Sequence, residues 1–163
     1  MYKRQSYIKL VADELKGSNV TPCCVIGFPF GTHTPEAKAA ETSQAVAEGA
    51  REVDMVVNIG AVKSGDWSLV ARDIKEVVSA AGPDVGVKVI LEVCLLTDDE
   101  KTRLCIISKE EGSAFVKTST GYSLSLIHIF WCLSSSRVTA LRWASGFCGD
   151  TTANSCSVSM ERQ

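Results

Sequence analysis

The segment Phe115-Val-Lys-Thr-Ser-Thr-Gly121 ends an apolar run with a lysine, three hydroxyl residues and a glycine. A lysine amine attacks a carbonyl only when neutral, so an ordinary pKa of about 10.4 must fall toward about 7 through burial or a neighbouring cation. Lys117 is the strongest candidate nucleophile in the chain. The run VGVKVILEV (85–93) reads as a strand with Lys88 on the same face as Gly86, Ile90 and Glu92, and this second ammonium is placed to help. Asp54, flanked by Val53 and Met55 in REVDMVVN (51–58), is a carboxylate inside an apolar run, costly unless paired. The hydroxyls and amides of Thr118 to Gly121 form a candidate anion-binding loop, because glycine lets a backbone approach a phosphate closely.

Each feature also has a plainer reading. Lys117 could be a solvated strand end, Asp54 a salt-bridge partner, and Lys88 with Glu92 a structural ion pair. His33 and His128 lack the spacing of metal ligands or of a nucleophile-base pair, and His33 reads as a loop residue. Cys23, Cys24 and Cys94 read as small core residues rather than nucleophiles.

The elements that must position these groups alternate between two periods. Tyr7, Ile8, Leu10, Val11 and Leu15 recur at helical spacing before Lys16-Gly17. Pro22 to Pro29 reads as a buried strand, and Thr34-Pro35 caps an alanine- and glutamate-rich helix to Ala50. The strand of 51–58 is followed by a turn over Gly60–Gly65 and a helix from Asp66 to about Ala81, broken by Gly82-Pro83-Asp84. After the third strand, Thr97-Asp-Asp-Glu100 has the form of a capping box opening a helix to about Glu111, and 114–118 is a fourth strand. Strand and helix joined by short loops imply right-handed crossovers and a parallel sheet, an α/β fold.

With 163 residues the chain can build one domain, whereas a complete (β/α)8 barrel needs about 250. The 17 basic and 19 acidic residues are well mixed, for a net charge of -2. They offer no positive field for nucleic acid and no basic face for anionic lipid. No apolar run has membrane-spanning length and no secretory signal opens the chain, so the expected setting is cytoplasmic. The cysteines, seven in number and without a CxxC pair, read as reduced. From about Leu124 the composition changes: the last 40 residues hold eight serines and none of the ten lysines. Residues 125–131 could form one strand, and 134–163 are left unassigned. The expected division is therefore a partial barrel domain, 1–123, and an aberrant tail, 124–163.

Four stretches in order, CCVIGFPFGTHTPEAKAAET, AREVDMVVNIGAVKSGDW, VKVILEVCLLTDDEK and FVKTSTGYS, resemble deoxyribose-phosphate aldolase of the bacterial type. The resemblance covers Ser6 to Ser123. It implies a TIM (β/α)8 barrel, present here as a partial barrel of about four parallel strands, and a lyase without metal or cofactor. The implied reaction is reversible cleavage of 2-deoxy-D-ribose 5-phosphate to acetaldehyde and D-glyceraldehyde 3-phosphate. By this resemblance Lys117 is the Schiff-base lysine, Asp54 the proton relay and Lys88 an electrostatic helper. Thr118, Ser119 and Gly121 would belong to the phosphate site. The implied partner is a small phosphorylated sugar, with a homodimer expected for the complete protein. The family's second catalytic lysine, in a KASGG-like strand, has no counterpart here, and the tail resembles out-of-frame or foreign sequence. The family's first strand would precede Met1. A non-catalytic fragment or interaction protein is therefore the alternative expectation.

Overall fold

The computed structural model describes residues 5–122 and the backbone of 141–142 and 157–160. Four strands, β1 (Cys23–Ile26), β2 (Glu52–Val56), β3 (Gly86–Ile90) and β4 (Phe115–Lys117), alternate with helices. The helices are α1 (Ile8–Glu14), α2 (Pro35–Ala47), α3 (Ile59–Ser64), α4 (Trp67–Ala81) and α5 (Asp98–Glu110).

Helix starts follow the local chemistry of the sequence. Thr34 Oγ1 accepts from the Ala37 amide at 3.3 Å with Pro35 in the first turn, and Asp66 Oδ1 accepts from Leu69 at 3.0 Å. Thr97 and Glu100 close a full capping box, at 2.7 and 3.3 Å. Residues 60–64, expected as part of a turn, instead lie within α3, and Gly65 caps it. Its start is Asn58, whose Oδ1 accepts from the Ala61 amide at 3.0 Å, and its end is Gly65 at φ 75°.

Strands β1 to β4 pair in parallel and in chain order. Sequential order with right-handed crossovers puts every intervening helix on one side of the sheet, as in a barrel wall; a doubly wound sheet reverses its order. The register sorts the side chains accordingly. Cys24, Ile26, Val53, Met55, Val87, Val89 and Val116 share the helix-facing side, all buried in one cluster with Val70, Ile74 and Val77 of α4 and Leu104 of α5. Each such side chain contributes about 1.5–3 kcal/mol on leaving water. The other side carries Cys23, Glu52, Asp54, Lys88, Phe115 and Lys117. The polar residues are thus concentrated where a barrel has its interior.

Two further contacts shape the wall. Between α2 and α4, Lys38 Nζ lies 2.5 Å from Asp73 Oδ2 and donates to the Val56 carbonyl at 2.9 Å, with both side chains fully buried. Burial pushes the Lys38 pKa down and that of Asp73 up, while their mutual attraction opposes both shifts. In the loop after β1, Gly31 adopts φ 68° and packs so closely on the end of β2 that a Cβ there would stand 2.0 Å from the Val57 carbonyl oxygen.

The tail departs from the parallel repeat. Two short strands, β5 (Leu141–Arg142) and β6 (Ser157–Met160), extend the sheet, with β6 antiparallel to β4 and to β5. The outer edge of β4 offers backbone donors and acceptors that any short strand can satisfy, which explains pairing without a matching motif. Residues 125–131 lie outside the described residues. Among those described, no helix is long and apolar enough to cross a membrane.

Candidate active site

Lys117 closes β4, and its side chain turns back along the inner face of the sheet. It is 4% exposed, and its Nζ lies 3.3 Å from Asp54 Oδ2 on β2, itself fully buried. The two residues are not cross-strand neighbours. Asp54 is opposite Lys88 on β3, and Lys117 is opposite Ile90, so the contact passes over β3. Lys88 lies below, 3.5 Å from Asp54 Oδ1 and hydrogen-bonded to Glu52, with its ammonium 5.4 Å from the centre of the Phe115 ring. Two ammonium groups thus face two carboxylates across three strands. Such a cluster keeps buried charges compensated while leaving a proton within reach of the Lys117 amine.

Cys23 completes the cluster from β1, its thiol 3.3 Å from Asp54 Oδ1. The expectation of a plain core cysteine holds for Cys24, which is buried among apolar neighbours, its thiol pushed up to about 12 mainly by that burial. It fails for Cys23, half-buried on the polar face, and for Cys94, which is exposed in the turn after β3. His33 lies exposed in the loop before α2.

The third strand is shorter than its apolar run suggests. Regular pairing ends at Ile90, and Glu92 takes a left-handed conformation, φ 54° and ψ 61°. This turns its side chain away from Lys88. The plainer reading of a Lys88–Glu92 ion pair does not hold: the Glu92 carboxylate receives the Ser119 hydroxyl at 2.9 Å, the Thr120 amide at 3.2 Å and the Thr120 hydroxyl. The loop of 118–121 does surround an anion, and that anion belongs to the chain itself. Ser119 Oγ also accepts from the Gly121 amide at 3.0 Å. Thr118 is half-buried and Gly121 exposed.

The arrangement can hold a lysine dry beside a carboxylate that accepts its proton, the requirement for amine attack on a carbonyl. Among the described residues no cluster of His, Cys, Asp and Glu suits a metal ion. The sequence pattern of the DeoC/LacD family aldolases matches residues 3–140. The chain belongs to the DeoC/LacD aldolase family.

Relatives of this DeoC/LacD aldolase chain agree in sequence and in fold. Deoxyribose-phosphate aldolase of Bacillus cereus (strain B4264) is 58% identical over 118 residues, which are 72% of this chain and 53% of the relative. The chain spans about half the length of the curated relatives it matches. Deoxyribose phosphate aldolase from Aeropyrum pernix superposes with a TM-score of 0.64 at 32% identity, over 72% of this chain and 49% of that one. A solved aldolase, QR15, gives 0.69 at 36%, over 74% and 53%. The partial (β/α) barrel expected from the sequence is thus the fold of this DeoC/LacD chain.

Lys117, Asp54 and Lys88, singled out in the sequence, are brought together. Glu52 and Cys23 join them without having been singled out as site residues, and Thr120 does so from within the loop expected to hold an anion. Alternation places Glu52 on the Asp54 face, a detectable signal, whereas the positions of Cys23 and Thr120 depend on sheet register and on the backbone of Glu92.

Proposed function

We propose that this chain carries the imine-forming half of a deoxyribose-phosphate aldolase, a class I lyase acting on 2-deoxy-D-ribose 5-phosphate. The observation that carries the reading is the buried Lys117 amine 3.3 Å from Asp54. Transfer of the ammonium proton to Asp54 leaves a neutral amine, which attacks the aldehyde carbon of the open-chain sugar to form a carbinolamine. Proton return to the carbinolamine hydroxyl releases water and gives a protonated imine. A base removes the proton of the C3 hydroxyl, the C2–C3 bond breaks, and its electron pair neutralises the iminium as an enamine. D-Glyceraldehyde 3-phosphate departs. Protonation of the enamine carbon and hydrolysis of the resulting imine release acetaldehyde and restore Lys117. Asp54 is the proposed proton carrier, and Lys88, 3.5 Å from its Oδ1, helps balance its buried charge.

Of the loop residues proposed for the phosphate, the Ser119 hydroxyl is already tied to Glu92 and the Gly121 amide to Ser119 Oγ, so the contact falls to Thr118. A cytosolic setting fits the reduced thiols of Cys24 and Cys94. Assembly with further copies belongs to the same proposal; the Aeropyrum pernix relative is described as tetrameric.

Borohydride reduction in the presence of deoxyribose 5-phosphate or acetaldehyde tests the reading. A mass increment on Lys117 supports it, and an unmodified Lys117 under conditions that label a full-length relative removes it. The second reading, a non-catalytic chain, is favoured by one observation: among the described residues the sheet is open, with β1 at one edge. Retro-aldol turnover by the 163-residue chain would exclude it.

A further inference from the structure

Glu92 is the one non-glycine residue with positive φ among the described residues, and it is 3% exposed. A left-handed glutamate is strained and persists only where its surroundings over-determine it. Here three loop donors converge on its carboxylate, two from hydroxyls and one from the Thr120 amide. Cys94 Sγ lies within 3.8 Å of Oε1. The backbone on either side of Glu92 is engaged too. The Leu91 amide donates to the Lys117 carbonyl at 2.8 Å, and the Val93 amide donates to the Thr118 carbonyl at 2.9 Å. Five hydrogen bonds therefore tie residues 91–93 to residues 117–120, and Lys117 stands at the start of the segment they hold.

The competing role, a counter-charge for Lys88, is excluded by direction, since Lys88 pairs with Glu52 and Asp54. A second competing role, contact with a substrate phosphate, is opposed by charge, because a carboxylate repels a phosphate and already occupies the donors an anion would use. We propose that Glu92 is a positioning residue: its carboxylate stands in for an external anion in the 118–121 loop and thereby fixes the backbone that aims Lys117 at Asp54. This rests on the imine-forming role of Lys117. Misplacing a reacting amine by about 1 Å costs up to about a hundredfold in rate, so a latch on Ser119 and Thr120, two and three residues beyond Lys117, controls the chemistry without touching the substrate.

The test compares the full chain with its Glu92→Ala and Glu92→Gln forms by two measurements. Amide hydrogen exchange, read on the protein alone, is expected to show loss of protection at Thr120 in Glu92→Ala and partial retention in Glu92→Gln, whose side-chain oxygen still accepts one bond. Borohydride trapping of acetaldehyde at Lys117 is expected to fall about tenfold to a hundredfold in maximal rate in Glu92→Ala, with an unchanged half-saturating acetaldehyde concentration and partial rescue in Glu92→Gln. If Glu92→Ala fails to fold by circular dichroism, Glu92→Gln alone decides, by reduced protection at Thr120. Unchanged protection overturns the positioning role, as does an unchanged trapping rate in a variant that has lost it. Absence of trapping in the unaltered chain overturns the aldolase reading instead, and the exchange measurement still decides whether Glu92 holds the loop.

Discussion

Asp54 and Lys117 belong to strands separated by a third, yet the Lys117 amine reaches across β3 to stand 3.3 Å from the Asp54 carboxylate. The reach is possible because Lys117 is the last residue of its strand, where a long side chain can fold back over its neighbour. Asp54 therefore serves Lys117 and Lys88 together, at 3.3 and 3.5 Å. Substituting Asp54→Asn retains shape and removes the proposed proton acceptor. Trapping of acetaldehyde at Lys117 is expected to slow by about a hundredfold to ten-thousandfold, measured by the rate of adduct formation after borohydride quenching.

The Lys38–Asp73 pair lies outside this face, with neither side chain exposed to solvent. Removing one partner leaves an uncompensated charge, so Asp73→Ala is expected to cost about 3–5 kcal/mol in urea denaturation. The paired replacement Lys38→Met with Asp73→Leu is expected to recover most of that loss. Equal losses in the single and double variants would show that packing, rather than charge, governs the site.

The cap of α5 makes acid stability partly a property of one carboxyl. The Lys63 ammonium, 2.8 Å away, and the Thr97 amide hold Glu100 below its ordinary 4.5. A carboxyl depressed on folding stabilises fully above its ordinary value, and the contribution disappears as pH falls through the depressed one. Glu100→Gln should therefore lower Tm at neutral pH, and the difference from the unaltered chain should vanish in strong acid. Thermal melts across the acid range decide it. Thr97→Ala, which removes the other half of the box, should cost about 1 kcal/mol.

Thiol chemistry should separate a buried cysteine from an exposed one. Burial pushes the Cys24 thiol up to about 12, so it remains protonated at pH values that ionise an ordinary cysteine, whereas Cys94 is exposed. Brief iodoacetamide treatment of the folded chain should modify Cys94 and spare Cys24, as read by peptide mass spectrometry. Modification of both at equal rates would show that β1 opens readily.

Elements governed by near neighbours could be read from the residues themselves. Thr34, Asp66 and Thr97 open helices because each cap is settled within three residues, and alternation in 52–56 put Glu52 and Asp54 on one face. Prediction weakened where distant contacts overrule local pattern. The apolar run through Val93 suggested a longer strand, but donors from Ser119 and Thr120 draw Glu92 out of it. Asn58 opening α3 was a local signal masked by the two glycines after it. The burial of Lys38 and Asp73 depends on how α2 meets α4, and neither helix announces it alone.

Gly31 limits what protein engineering can do with the first loop above the sheet. With 2.0 Å between a Cβ and the Val57 oxygen, even alanine would force the loop off the end of β2. A mutagenesis library meant to alter substrate preference through that loop should leave position 31 fixed and vary the exposed Phe30 beside it.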